Sequence, residues 1–219
     1  MPMTVPDAIE TYAATVGPQP DDVIREMDAR ADETGFPTVG PAVGGWLYLL
    51  AKLVDARRIF EFGSGYGYSA YWFARALPSD GEIVLTEIDA DELEDARSNL
   101  ARGGFKDLAS FEHGDAIDIV DRYDGPFEVV LIDNEKERYV EAFEAVREKV
   151  PSGGVVVADN MTAGPFEFET VEAAVVNDRE IDDIAANGVV SYLDRLGDDP
   201  SFETTLLPLG EGVAVSRRM

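Results

Sequence analysis

The stretch Arg58–Tyr71, RIFEFGSGYGYSAY, constrains the fold more than any other part of the chain. Ile59, Phe60 and Phe62 form a short apolar run, as a strand buried on both faces does. Gly63, Gly65 and Gly67 interrupt it and Glu61 precedes them, giving E-x-G-x-G-x-G. Tyr71, Trp72, Ala74, Arg75 and Leu77 then follow at helical spacing. Strand, glycine turn, helix is how a nucleotide-type site begins. Glycine lets the backbone approach a ligand, and a helix N-terminus offers unpaired N–H groups to an anion. Tight turns also use glycine for steric reasons alone, so the motif needs support from elsewhere in the chain.

Support comes from the pattern that follows. Strands are expected near 58–62, 82–88, 108–112, 127–133 and 153–159, with helices near 67–77, 90–102, 116–121 and 136–149. Such alternation implies a doubly wound, mostly parallel α/β sheet covered on both faces, with ligands at the carboxyl ends of its strands. Glu87, at the end of the second strand, is placed to accept hydrogen bonds from a ribose. Asp89 with Glu92 reads as a capping box. After Asp159 the alternation breaks into a loop with an irregular helix over 160–186 and a helix near 187–197. Phe202–Pro208 and Gly212–Arg217 then read as a terminal hairpin, which makes the last strand antiparallel.

Before the first strand, helices are expected over 6–16, from Asp21 or Asp22 to about Glu33, and from Pro41 to Asp55. Residues 1–56 thus form an N-terminal helical cap or extension, over the sheet edge and substrate mouth or at a subunit contact. Residues 57–219 form the sheet domain, in one compact unit with the cap.

With 44 acidic and 18 basic residues the net charge is -26, and acid is spread along the whole chain. Such a surface self-repels in dilute salt and is screened in molar salt, where the Debye length is about 3 Å. A salt-accumulating halophile is the expected source. The charge argues against a nucleic-acid partner, which needs basic patches. No cysteine is present, which excludes disulfides and thiolate chemistry and fits the cytoplasm. No apolar run is long enough to span a membrane, and the first residues do not read as a signal peptide.

A second constellation lies in VVLIDNEKERY and VVVADNM. Asp133 ends the fourth strand, Lys136 opens the next helix, and Asp159 and Asn160 end the fifth strand. In a doubly wound sheet strands one, four and five are neighbours, so three hard oxygen donors converge beside the glycine turn. Two carboxylates and an amide carbonyl suit Mg²⁺, or Mn²⁺ or Ca²⁺, with positions left for substrate oxygens. Each feature alone could be a helix cap or a turn; their coincidence favours a site. His113, the only histidine, reads as structural. Tyr66, Tyr68, Trp72 and Phe73 read as core or cofactor wall.

E-x-G-x-G-x-G resembles the first motif of S-adenosylmethionine-dependent methyltransferases, whereas a dinucleotide fingerprint would need glycine where Tyr68 stands. Over 36–219 the chain resembles the cation-dependent O-methyltransferases of the catechol and caffeoyl-CoA type. The matching pieces are GPAVGGWLYLLAKL, IFEFGSGYGYSAYWFA, LTEIDADELEDAR, HGDA, VVLIDNEKERY, VVVADN and LLPLGEGVAVSRR. The resemblance implies a Rossmann-like seven-strand sheet, S-adenosylmethionine as methyl donor and a small hydroxylated acceptor with adjacent oxygens, such as a catechol-like phenol. It implies Lys136 as the catalytic residue and Asp133, Asp159 and Asn160 as metal ligands. Cofactor contacts fall on Glu61, Gly63, Ser64, Gly65, Tyr68, Ser69, Glu87 and Asp133, with adenine held at Asp115 and Ala116. A homodimer is the expected assembly. The family's usual Asp-Ala-Asp-Lys reads Asp133-Asn134-Glu135-Lys136 here. The stretch Phe36–Gly40 lacks the usual Met-x-x-Ser, and the loop after Asn160 departs from common relatives, so the acceptor pocket is this chain's own. Other readings of the same residues are a tRNA wobble-uridine hydroxyl methyltransferase, which a basic patch would favour, a non-catalytic S-adenosylmethionine-binding protein, and a nicotinamide oxidoreductase.

Overall fold

The computed structural model describes residues 7–219. Strands β1 (Arg58–Phe62), β2 (Glu82–Glu87), β3 (Ala109–His113), β4 (Val129–Ile132), β5 (Val155–Ala158), β6 (Phe202–Leu207) and β7 (Val213–Arg218) form one sheet in the order β3-β2-β1-β4-β5-β7-β6. Pairings from β3 through β5 are parallel, while β7 runs antiparallel to both β5 and β6. The expected terminal hairpin is therefore present. Strand order reverses at β1, which opens a crevice between the carboxyl ends of β1 and β4.

The central strands are apolar at nearly every position because both faces are covered. Ile59 packs into a core shared with α2 (Asp22–Thr34), α3 (Gly40–Leu53), α4 (Tyr68–Ala76) and α5 (Ala90–Arg102). Phe60 and Phe62 pack on the opposite face, against α6 (Ala116–Val120), α7 (Tyr139–Val146) and α9 (Ile184–Gly197). Period-two alternation then puts Glu61 on the α4 face, wholly buried. Before α2 runs α1 (Asp7–Val16); the Pro6 at which that helix was expected to begin lies outside the described residues. Ile24, Met27 and Leu47 of α2 and α3 belong to the same core as Ile59 and Trp72.

Several boundaries differ from the sequence expectation. Strands expected over 127–133 and 153–159 are shorter, so Asp133 and Asp159 stand one residue past the ends of β4 and β5. The helix expected over 136–149 is three pieces: a 3₁₀ turn Lys136–Arg138, α7, and a 3₁₀ turn Arg147–Lys149. Within 160–186 the expected irregular helix is regular, α8 (Phe168–Asn177), stopped by Asp178 in the left-handed conformation at φ 52°. It has no side-chain N-cap, which removed the usual start signal. The last helix begins at Ile184, earlier than expected, because Asp183 caps it by accepting from Ala186 N at 2.8 Å.

Asp89 accepts from the N–H groups of Asp91 and Glu92, as a cap should. The reciprocal half of the expected capping box is absent. The Asp89 N–H donates instead to Glu87, because the chain leaving β2 bends around that carboxylate.

Candidate active site

Gly63 follows β1 at φ 76°, where a Cβ would stand 2.6 Å from the carbonyl oxygen of Asp133. Asp133 N donates to Phe62 O at 3.0 Å, so β4 exits directly against the glycine turn. At Gly67 the φ is 84° and a Cβ would lie 2.9 Å from that of Ala96 in α5. Helix packing explains Gly67, whereas Gly63 is where the first and fourth strands deliver their side chains to one place.

Glu61 lies beneath the turn. Ser69 Oγ donates to its Oε1, and Oε2 has no partner. Burial pushes this carboxyl up to about 8, against the lowering effect of Ser69. Glu87 ends β2 and is held by three backbone amides: Gly65 N donates to Oε2 at 2.8 Å, and Ile88 N and Asp89 N to Oε1 at 2.8 and 3.1 Å. One carboxylate thereby fixes the glycine turn and the β2 exit together.

Two cavities meet here. One, of about 400 Å³, is lined by Gly63, Glu87, Ile88, Asp115, Ala116 and Arg138 among others. The second, of about 480 Å³, is lined by Phe36, Ser64, Tyr68, Ser69, Asp159 and Asn160 among others. Gly63, Glu87, Asp133, Lys136 and Pro165 line both. All of the cofactor-contact residues expected from the sequence except Glu61, which sits behind Ser69, thus line one or the other of these two adjoining cavities.

Asp115 is more constrained than expected. Its Oδ1 accepts from Ile117 N at 3.0 Å, capping α6, and its Oδ2 accepts from Arg138 at 2.8 Å. The Arg138 guanidinium holds this carboxyl below the usual carboxylate range.

Lys136 occupies the wall between the cavities, nearly buried. Its Nζ has four acceptors: Asn160 Oδ1 at 2.6 Å, the Tyr139 hydroxyl at 2.7 Å, Asp133 Oδ1 at 3.1 Å and Asn134 O at 3.2 Å. An ammonium has three protons, so one is shared. Around it stand Asp133 and Asp159, the latter buried with Oδ1 unpartnered. Burial, then the neighbouring Asp133 charge, pushes the Asp159 carboxyl up to about 8. Burial raises Asp133 as well, against the lowering effect of Lys136. Tyr139, behind the lysine, is pushed well up by burial and then by Asp133.

An orphaned buried carboxylate oxygen, two mutually repelling acids and a hard amide oxygen fit a divalent cation. Among the described residues no three acidic, histidine or thiolate side chains gather at metal-binding spacing, so the set depends on the Asn160 amide as its third member.

Reasoning from sequence missed Tyr139, Arg138 and Glu211. Tyr139 stands three residues after Lys136, the spacing of neighbours on one helix face, which could have flagged it. Glu211 arrives from the distant β6–β7 turn and left no local signal. His113 is exposed, with a ring nitrogen 3.1 Å from Ile88 O, and lines neither cavity. Trp72 and Phe73 are core, while Tyr66 and Tyr68 are both core and cavity wall.

A seven-strand sheet with this antiparallel hairpin, and a glycine turn facing acids on two neighbouring strand exits, defines a Rossmann-like methyltransferase. The chain belongs to the O-methyltransferase family, whose model, described as O-methyltransferase, matches residues 22–219. It is 30% identical over 209 residues to a catechol O-methyltransferase of Niastella koreensis, covering 93% of this chain and 90% of that protein. It is 27% identical to caffeoyl-CoA O-methyltransferase 1 of Eucalyptus globulus, over 96% of this chain and 86% of that one. Among solved structures, an O-methyltransferase of Streptomyces achromogenes involved in tomaymycin synthesis, in complex with S-adenosylmethionine, superposes with a TM-score of 0.84 at 29% identity. That match covers 97% and 96% of the two chains. An O-methyltransferase of Bacillus cereus in complex with S-adenosylhomocysteine gives 0.83 at 25% identity, covering 97% of each.

Proposed function

We propose that the protein transfers the methyl group of S-adenosylmethionine to a hydroxyl of a small acceptor with adjacent oxygens, a catechol-like phenol, using a divalent cation held by Asp133, Asp159 and Asn160. The observation that carries this reading is Lys136, held by Asp133 and Asn160 at the wall between two cavities, beside the unpartnered oxygen of Asp159. The donor and product named in the neighbouring crystal structures support the choice of cofactor.

When bound, S-adenosylmethionine supplies a methyl group made electrophilic by the adjoining sulfonium. The cation, Mg²⁺ in the first instance, supplies positive charge that makes a nearby hydroxyl more acidic. Glu87, with both oxygens already fixed by amides, receives the ribose hydroxyls on its remaining lone pairs. Gly63, Ser64, Gly65, Tyr68 and Ser69 border the methionine part, with Glu61 behind Ser69, and Asp115 and Ala116 border the adenine. Lys136 in its unprotonated form takes the acceptor's hydroxyl proton at Nζ. Tyr139, with its hydroxyl 2.7 Å from that nitrogen and 3.2 Å from Asp159 O, keeps the lysine aimed along the wall. Phe36, Pro37, Val39 and Pro165 give the acceptor side an apolar lining that excludes water. Most of the rate then comes from holding acceptor oxygen and methyl carbon at near-attack distance.

The same reading makes the N-terminal helices a cap over the sheet edge and acceptor mouth or a subunit contact, the assembly a homodimer and the setting the cytoplasm of a salt-accumulating cell. The test is radiolabelled methyl transfer to a panel of catechols in Mg²⁺ and high KCl. Activity should vanish with excess chelator and in Asp133→Ala; persistence in either sinks the metal role. Calorimetry should show heat with S-adenosylmethionine and none with NAD.

A further inference from the structure

We propose that Glu211 is a positioning residue that sets the Asn160 amide with its oxygen, not its nitrogen, facing the candidate cation site. The inference rests on the reading of Asp133, Asp159 and Asn160 as cation ligands.

Asn160 sits in the left-handed region at φ 59°. Its two amide ends have different partners: Oδ1 accepts from Lys136 Nζ at 2.6 Å, and Nδ2 donates to Glu211 Oε2. An ammonium only donates and a carboxylate only accepts, so the pair admits one amide orientation. Turning the amide over would set N–H against ammonium and carbonyl against carboxylate. With Lys136 unprotonated, as its role as base requires, its amine can both donate and accept, and Glu211 is the partner that still distinguishes the two ends.

The placement of Glu211 is built into the fold. Its carbonyl accepts from Thr162 N at 2.7 Å and Ala163 N at 3.1 Å, and Met161 N donates to Gly212 O at 2.9 Å. A Cβ at Gly212 would stand 2.6 Å from Thr162 Oγ1, and one at Gly210 2.6 Å from Val43 Cγ2 in α3. The β6–β7 turn is thus wedged between α3 and the loop that follows β5. The Glu211 side chain also lines the cavity that holds Asp133, Lys136 and Asp159.

The test is a titration with Mn²⁺ alone, followed by electron paramagnetic resonance of free ion, on wild type, Glu211→Ala and Glu211→Gln. Losing an outer partner of a metal ligand weakens affinity by about 10–100-fold, the expectation for Glu211→Ala. Gln keeps an acceptor for Nδ2 and should stay near wild type. In an Asn160→Asp background, where either carboxylate oxygen can face the ion, Glu211→Ala should not weaken binding. Equal Mn²⁺ affinity in wild type and Glu211→Ala, equal losses in Ala and Gln, or the same loss in the Asp background would each overturn the proposal. Wild type that binds no Mn²⁺ would instead remove the cation reading beneath it. Should Glu211→Ala not fold, wild type carries the test through the Asn160 side-chain amide protons in ¹⁵N spectra. They should exchange more slowly than those of exposed Asn187, and equal rates would refute the contact.

Discussion

Replacing Glu61 by Gln should alter how stability responds to pH. An ordinary glutamate in the unfolded chain releases its proton near 4.5, whereas burial in the fold holds the Glu61 proton to about 8. Between those values the folded state binds one more proton than the unfolded state at this site, so stability falls as pH rises. The slope is about 1.4 kcal/mol per pH unit, which accumulates to ~3 kcal/mol by pH 7. The loss is absent below the unfolded value and complete above the folded one. Gln reproduces the neutral acid in shape, with an unpartnered N–H where Oε2 already lacks a partner. The two proteins should therefore agree to within ~1 kcal/mol at pH 5, and Glu61→Gln should be the more stable by ~2–3 kcal/mol near pH 7.5. Urea unfolding at pH 5, 6, 7 and 8, in one fixed concentration of KCl, measures the difference. Asp159 also titrates upward but is present in both proteins, so it cancels. A stability difference that stays flat from pH 5 to pH 8 would falsify the reasoning, because Glu61 would then be charged and compensated within the fold.

Gly63→Ala should cost ~2–4 kcal/mol, from the positive φ and from a Cβ set against the Asp133 backbone, which cannot move aside cheaply. Gly35→Ala, at φ 71° with open space around it, should cost only the backbone part of ~1–2 kcal/mol; equal urea midpoints for the two variants would contradict the close contact. Asp199 is buried between Arg147 and Arg195, and its hydrogen bonds to Arg147 hold its carboxyl well below the ordinary value. Its stabilisation is present above the unfolded value near 4 and lost as pH falls through the folded one. Asp199→Asn should therefore flatten the acid limb of stability against pH, and an unchanged limb would argue against the pair. Finally, the unfolding midpoint should rise with KCl toward molar concentration, since a net charge of -26 repels itself across the surface until screened. Greatest stability without added salt would remove the halophile reading.

What the sequence determined was the part carried by local pattern. Apolar runs broken by Gly63 and by Asp133 and Asp159 at strand exits fix a parallel sheet and the edge at which its polar residues gather, because strands buried on both faces have nowhere else to place charge. Asp89 as a cap and Phe202–Arg217 as a hairpin were likewise legible, since each depends on neighbours in the chain. Only the tertiary structure decided the contacts between residues far apart in sequence. Glu61 lies under Ser69 because α4 folds back over β1. Arg138 claims Asp115 across the first cavity, and Glu211 reaches Asn160 from a turn 51 residues away. No periodicity encodes such pairs. Strand order brings them together, and strand order is set by how the sheet closes its two faces against the helices.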